Sequence, residues 1–361
     1  MNKNKILYIG MDISAGVKTG GDYCVMMNQA MLKHLYGDNV RVISVPKIPL
    51  WKHLFNLLTL RTYGQTRKLT REINQVLSEG VDFLCVDGAY YGGYVENCAK
   101  MGLRSIVFCH NVENVFYKSR YESEKSIFSW LLWKYMHFNE SKTFKYCTKI
   151  IALNERDSAG IHELYGRKAD MVLPTFYHAI PKEKLLKSQN RNPYLLFVGS
   201  NFYANNNGIM WFIKNVSSHI HYPLVVAGSC CDIIRKEINI SDYPNVTLRG
   251  FVDDLDDLYI NAYGVVCPIF AGSGMKTKTI EAMRYGKNIF GTTEAFEGID
   301  VDYSEVGDLC NTESEFIDKI ESRSIEQFNE YTYSAFLKSF STENAFKRFS
   351  LFVDEFIDSD N

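Results

Sequence analysis

The sequence predicts an α/β protein built from two successive doubly wound units. Three observations carry this prediction. Short apolar runs, each closed by a small or polar residue, alternate with stretches of helical periodicity along the chain. A length of 361 residues suits about two domains, each large enough for its own core. After a polar stretch without strong periodicity at 181–192, the same pattern starts again near Tyr194.

Composition narrows the class. With 46% hydrophobic and 23% charged residues, the chain has an ordinary globular composition. No apolar run approaches the roughly 20 residues of a membrane span, and Met1-Asn2-Lys3-Asn4-Lys5 leads straight into a strand, so a cytoplasmic protein is expected. Nine cysteines without a CxxC pair, including the adjacent Cys230-Cys231, resemble neither a disulfide framework nor a zinc site and read mostly as buried free thiols. The net charge of −2 conceals a division: residues 1–180 carry 23 Lys and Arg against 16 Asp and Glu, the remainder 17 against 26. With no concentrated Lys/Arg block or RNA-binding motif, nucleic acid is not expected as the main partner.

The first strand is Ile6-Leu7-Tyr8-Ile9, followed by a loop containing Gly16, Gly20 and Gly21 and a helix over about 22–35. Residues 40–45 form a second strand, completing a βαβ opening. The loop is not GxGxxG and the second strand ends in Ser44-Val45-Pro46, so a dinucleotide reading is weak. Next, Lys47, Lys52, His53, Arg61, Arg67, Lys68 and Arg71 are interleaved with Leu50, Trp51, Leu54, Phe55, Leu57, Leu58 and Leu60. Such a stretch can lie on an anionic membrane surface, or pack its apolar side on the core with the basic residues solvated. Strands follow at 81–86 and 105–109, the latter running directly into His110-Asn111-Val112-Glu113. Ligand sites in open parallel sheets lie beyond the carboxyl ends of strands, which makes His110 a candidate for chemistry as well as for a structural role. A helical region at 126–146, a strand at 149–153 and a further helix and strand close a first domain at about residue 180, with 181–192 as linker.

The second domain, 193–335, restarts with a strand ending in Gly199-Ser200. Asp253-Asp254-Leu255-Asp256-Asp257 is read as acidic residues gathered at a helix start in preference to a metal-binding motif. Residues 336–361 are assigned to a terminal helix whose Phe346, Phe349, Phe352, Val353 and Phe356 must pack on something.

The most informative stretch is 268–299. An apolar run ends at Pro268; a small-residue loop with Gly272, Ser273 and Gly274 leads through Met275 and Lys276 into a helix carrying Glu281. Glycines let the backbone turn tightly and approach a ligand, and the first amides of the helix face an anion. Lys276 and Glu281 are five residues apart, about 500° of helical rotation, so they would meet different parts of one ligand: a diphosphate for the lysine, a vicinal diol for the carboxylate. Lys278 is expected on another side of the helix. An ordinary strand-loop-helix connection with a solvated lysine is the alternative.

Phe197-Val198-Gly199-Ser200 with Asn206 and Trp211-Phe212, Gly250-Phe251-Val252, Gly272 to Lys276 through Glu281-Ala282, Glu297-Gly298-Ile299 and His110-Asn111-Val112-Glu113 together resemble the retaining GT-B glycosyltransferases of family 4, of the bacterial surface-polysaccharide type. The resemblance implies a GT-B fold, two Rossmann-like domains facing an interdomain cleft, with the last helix returning to the first domain. It also implies a retaining, metal-independent transfer of a hexose-type sugar from a nucleotide sugar to a lipid-linked or oligosaccharide acceptor, with no cofactor. By motif, Lys276 and His110 become the catalytic residues, Gly199, Ser200, Gly272, Ser273, Gly274, Met275, Lys276 and Glu281 the donor site, and Gly20 and Gly21 an acceptor-side loop. Two departures stand out: Ser273 occupies the position where many relatives carry a second glutamate, and Asn201-Phe202-Tyr203 stands where a basic residue is common. A nucleotide-sugar epimerase or hydrolase, or a non-catalytic nucleotide-sugar-binding subunit, are the alternatives on the same fold.

Overall fold

The structure, a computed structural model, describes residues 4–16, 20–46, 48–187, 192–272, 274–324 and 326–358, apart from the side chains of Leu50, Trp51, His53 and Leu54. The chain forms two compact units, residues 1–175 with 346–361, and residues 176–345.

In the first unit the elements are β1 (Ile6–Met11), α1 (Gly20–Tyr36), β2 (Val40–Val45), α2 (Leu50–Leu58), α3 (Arg67–Ser78), β3 (Phe83–Asp87), α4 (Gly92–Lys100), β4 (Arg104–Cys109), α5 (Glu113–Glu124), α6 (Ile127–Tyr146), β5 (Lys149–Ala152), α7 (Glu155–Tyr165) and β6 (Met171–Val172). The strands form one parallel sheet in the order β2-β1-β3-β4-β5-β6. Parallel sheets carry helices on both faces, so their strands are apolar throughout and do not alternate. Ile6 to Ile9 and Phe83 to Val86 are accordingly buried without a gap.

The second unit contains α8 (Lys182–Leu185), β7 (Leu195–Val198), α9 (Tyr203–Asn215), β8 (Leu224–Ala227), α10 (Cys231–Glu237), β9 (Val246–Gly250), α11 (Asp256–Asn261), β10 (Gly264–Cys267), α12 (Thr277–Arg284), β11 (Asn288–Gly291), α13 (Tyr303–Val306), β12 (Gly307–Leu309), α14 (Glu313–Ser322) and α15 (Glu330–Ser339). Its parallel sheet runs β12-β11-β10-β7-β8-β9. The last helix, α16 (Thr342–Asp358), belongs to the first unit from Phe346 onward. There Phe349 stacks on Phe108 at 5.7 Å between ring centres, Phe356 meets Phe83 edge-on at 5.6 Å, and Arg104 lies 4.4 Å above the Phe356 ring. All nine cysteines are buried free thiols.

Three boundaries differ from the sequence reading. The chain leaves the first unit between Thr175 and Phe176, ahead of the 181–192 stretch expected as linker, of which 188–191 lie outside the described residues. Polarity concealed that Leu185 is buried and that Lys184 pairs with Asp256, which holds α8 to the second unit. The return falls between Ala345 and Phe346, not at 336, because α15 packs with α12 and α13. Finally, Gly20 and Gly21 are the first residues of α1, not a loop ahead of it; helix is tolerated at glycine where the rest of the segment supports it.

Lys287, between α12 and β11, is fully enclosed in the second unit. Its Nζ donates to the carbonyls of Ile260, Ala262 and Gln327 at 3.0, 2.9 and 2.7 Å, joining three loops through one ammonium. Lys287→Met removes all three hydrogen bonds while keeping most of the volume. It should destabilise the second unit by on the order of 3 kcal/mol, since each stranded buried carbonyl carries a desolvation cost. Urea unfolding monitored by tryptophan fluorescence checks this; an unchanged midpoint would mean that water replaces the ammonium.

Candidate active site

Ligands of open parallel sheets bind beyond the carboxyl ends of the strands, where the strand order reverses direction. In the second sheet that reversal lies between β7 and β10. The segments leaving these strands are Gly199-Ser200 and 268–276. Gly208 on α9 brings them together: a Cβ there would lie 1.8 Å from the carbonyl oxygen of Pro268, so only glycine lets α9 support the second loop at this distance. Within that loop Gly272 and Gly274 adopt φ values of 147° and 69°, while Ser273 lies outside the described residues.

Lys276 precedes α12 as its N-cap residue. Its side chain is buried, with Nζ 2.7 Å from Glu294 Oε1 and donating to the Gly274 carbonyl at 3.2 Å. Lys276 therefore ties the loop to the segment after β11, and its charge already faces a carboxylate. Lys278 is the departure from the sequence reading. Instead of turning away, it enters the β7 side of the site, where Nζ donates to Oδ1 of Asn205 at 2.7 Å and lies 5.9 Å from the centre of the Phe197 ring. Burial holds its ammonium below the ordinary lysine range, against the opposing pull of Cys267 and Glu281.

The physical reason for this difference is the helix start. Counting 100° per residue from Lys276 assumes that Lys276 is helical, whereas α12 begins at Thr277. Inside the helix, Lys278 and Glu281 stand three apart and share a face. Burial raises the Glu281 carboxyl above its usual range, opposed by Lys278 and Arg284, with the Tyr259 hydroxyl beside it. Tyr259 is in turn stacked on Tyr285 at 4.5 Å and 6° between ring planes. The acidic run 253–257 is engaged locally: Asp254 Oδ1 accepts the Asp256 amide at 2.8 Å, and Asp256 takes Lys184 and the Tyr285 hydroxyl.

In the first sheet the reversal lies between β1 and β3. Asp87 closes β3 there and is entirely buried. One of its oxygens accepts the Tyr8 hydroxyl and the Asn28 amide, the latter at 3.0 Å; the other lies 2.5 Å from His110 Nε2. Burial disfavours a charged imidazole, but the Asp87 carboxylate outweighs it, and the His110 pKa is raised above 6.5. The Asp87 carboxylate thus favours the charged form of His110, which stands directly after β4 at the carboxyl edge of the sheet with a side chain only 10% exposed. Glu113 opens α5 nearby; burial, with Glu140 and Asp157, pushes its carboxyl up to about 8. Glu140 caps that helix, its two oxygens accepting the amides of Glu113 and Asn114 at 2.7 and 2.9 Å.

At the carboxyl ends of β7 and β10 the structure brings Gly199 and Ser200 against Asn205, which accepts Lys278. Gly272, Gly274, Met275 and Lys276 lie in the loop that enters α12, the helix carrying Glu281. His110 stands at the carboxyl end of β4 in the first unit. Gly20 and Gly21 begin α1, the helix that supplies Asn28 to Asp87. Sequence reasoning missed Asp87, Asn205, Glu294 and the inward course of Lys278. A signal existed for Asp87, a lone acid closing an otherwise apolar strand; Asn205 and Glu294 carry none.

Comparison with known proteins adds three findings. Residues 192–322 match the family model Glycosyl transferases group 1. A Klebsiella pneumoniae protein described as an uncharacterized 44.6 kDa protein in cps region is 26% identical over 296 residues, covering 78% of this chain and 74% of its own. Among solved structures, Anabaena Alr3699/HepE in complex with UDP aligns with a TM-score of 0.66 at 12% identity, covering 97% of this chain and 100% of that one. The apo form of the lipopolysaccharide outer core galactosyltransferase WaaB aligns with a TM-score of 0.66 at 13% identity over 96% and 98%. The fold is the GT-B fold that the sequence motifs implied.

Proposed function

We propose, from a chain that carries a glycosyl transferase group 1 domain on a GT-B fold, that this protein transfers a sugar from a nucleotide sugar to a lipid-linked or oligosaccharide acceptor in bacterial surface-polysaccharide synthesis, with retention at the anomeric carbon. The observation that carries the reading is the joint placement of Lys278 and Glu281 on one face of α12, beside the Gly-rich loop and the β7–β10 crevice. A cation whose hydrogen bond goes to a neutral amide suits a diphosphate; a carboxylate one turn further suits the ribose diol. Lys278 takes the diphosphate role first assigned to Lys276, and Lys276 holds the loop through Glu294. His110 of the first unit keeps the role its motif implies, contact with the transferred sugar.

Chemistry follows from positioning and leaving-group stabilisation. As the glycosidic bond breaks, negative charge builds on the departing diphosphate, where Lys278 and the first amides of α12 stabilise it; a donor phosphate oxygen takes the proton of the incoming acceptor hydroxyl. A UDP-sugar is the first donor to test, since solved structures of this fold hold UDP and UDP-glucose. Thermal-shift titration with UDP, GDP and their sugar conjugates should raise the melting temperature for one nucleotide class by mass action. A protein that binds none of them would lose this reading; one that binds a donor but turns it over with no acceptor extract would be a binding subunit.

Two further outcomes belong to this site. Glu281→Gln should raise the Michaelis constant for the donor several-fold with little change in kcat, because the ribose is remote from the bond being broken and its contact is nearly uniform along the reaction. Steady-state donor titration distinguishes this from a fall in kcat. EDTA should leave turnover unchanged, as Lys278 and helix amides supply the positive charge; activity lost to EDTA and restored by manganese would require a metal.

A further inference from the structure

The turn that joins α2 to α3 combines features that glycosyl transfer does not use. Leu60 has φ 51° and is 54% exposed. It stands where a helix end normally takes glycine: its amide donates to Leu57 O at 3.3 Å and the Arg61 amide to Asn56 O at 2.8 Å, the two bonds of a Schellman ending. A leucine in this left-handed position is strained relative to glycine, and its side chain faces solvent in return. Leu58 and Phe55 are 76% and 47% exposed beside it.

The turn is nevertheless firmly anchored. Leu57 is buried, Asn56 Nδ2 donates to Gln65 O at 3.1 Å, and Thr62 Oγ1 accepts the Gly93 amide at 2.7 Å. Arg61 packs its guanidinium 4.9 Å above the Phe55 ring and also lines a depression of about 320 Å³ with Arg67, Arg71, Gln65, Thr66 and Thr70. Three arginines thus line one small cavity, and one of them touches the apolar cluster.

We propose that this turn is a membrane seat: Arg61, Arg67 and Arg71 receive the phosphate of an anionic phospholipid headgroup, while Phe55, Leu58 and Leu60 enter the acyl boundary. The arrangement favours a lipid surface over a free anion because the cationic cavity and the outward apolar side chains meet at Arg61, so one partner must present phosphate and hydrocarbon together. Among the described residues no helix is long and apolar enough to cross a membrane, and an interfacial seat needs none.

Sedimentation with vesicles of phosphatidylcholine containing about 30 mol% phosphatidylglycerol tests the proposal against phosphatidylcholine alone. The protein should bind the anionic vesicles and release with added salt. Arg67→Gln and Arg71→Gln, at exposed positions, should each weaken the partition about fivefold. Leu60→Gly provides a readout of opposite sign: it should raise the melting temperature, by relieving the left-handed strain, while weakening vesicle binding. A purely structural turn would give the first effect alone. Equal recovery on neutral vesicles, inorganic phosphate binding without vesicle binding, or vesicle binding untouched by Leu60→Gly would each overturn the assignment.

Discussion

Lys278→Met is expected to lower turnover by about 100-fold or more, the usual cost of removing one electrostatic donor to a developing negative charge. The charge matters more in the transition state than in the bound donor, because the diphosphate gains negative charge as it departs; kcat should therefore fall more than donor affinity. The geometry separates this residue from its neighbour. Lys276 is already paired with Glu294 at 2.7 Å, whereas the hydrogen bond of Lys278 goes to the neutral side chain of Asn205. Lys276→Met should loosen the loop, raise the donor Michaelis constant and cost less in kcat. Burial also holds the Lys278 ammonium below the ordinary lysine range, so activity should decline on the alkaline side before a solvent-exposed lysine would lose its proton. Kinetics of both variants across pH check the assignment. Near-normal turnover in Lys278→Met with a collapse in Lys276→Met would return the diphosphate to Lys276.

Asp87→Asn should be the more damaging change to the fold. The residue is wholly buried and accepts from Tyr8 and Asn28 while facing His110. Removing one partner of a buried pair leaves the other uncompensated, which typically costs about 3–5 kcal/mol. Without the Asp87 carboxylate, burial favours the neutral form of His110, which lowers that cost. The pH dependence has a definite sign. Because the folded pKa of His110 is raised above 6.5, the stability contributed by the pair is fully present below the unfolded pKa and is lost as pH rises through the folded value. Wild-type urea midpoints should therefore fall on moving from acidic to alkaline pH across that window, and Asp87→Asn should flatten this part of the profile. A wild-type midpoint that rises over the same window would show that Asp87 does not hold His110 charged.

The fold was legible because parallel strands buried on both faces are written as uninterrupted apolar runs, and helices as periodic ones. Ile6 to Ile9, Tyr194 to Val198 and Val265 to Pro268 could be located without any partner being known. The Gly-rich loop was legible for a similar local reason: small residues between a strand and a helix report a tight turn wherever they occur. His110 was found from its place after β4. The inward course of Lys278 was not, because it depends on where α12 begins. Lys276 stands ahead of the helix, so the helical spacing of about 100° per residue says nothing of its direction relative to Lys278.

What the chain by itself determined is therefore local: which segments are strands or helices, where the backbone must turn closely, and which charged residues stand at strand ends. Tertiary structure decided the pairings. Asp87 is joined to Tyr8 across 79 residues and Lys278 to Asn205 across 73, separations at which periodicity within one element carries no information about the other. Whether a lysine faces a carboxylate, as Lys276 faces Glu294, or a neutral amide, as Lys278 faces Asn205, follows from which side chains packing brings within hydrogen-bond reach. The sequence supplied both lysines; the sheet order and the approach of α9 through Gly208 distinguished them.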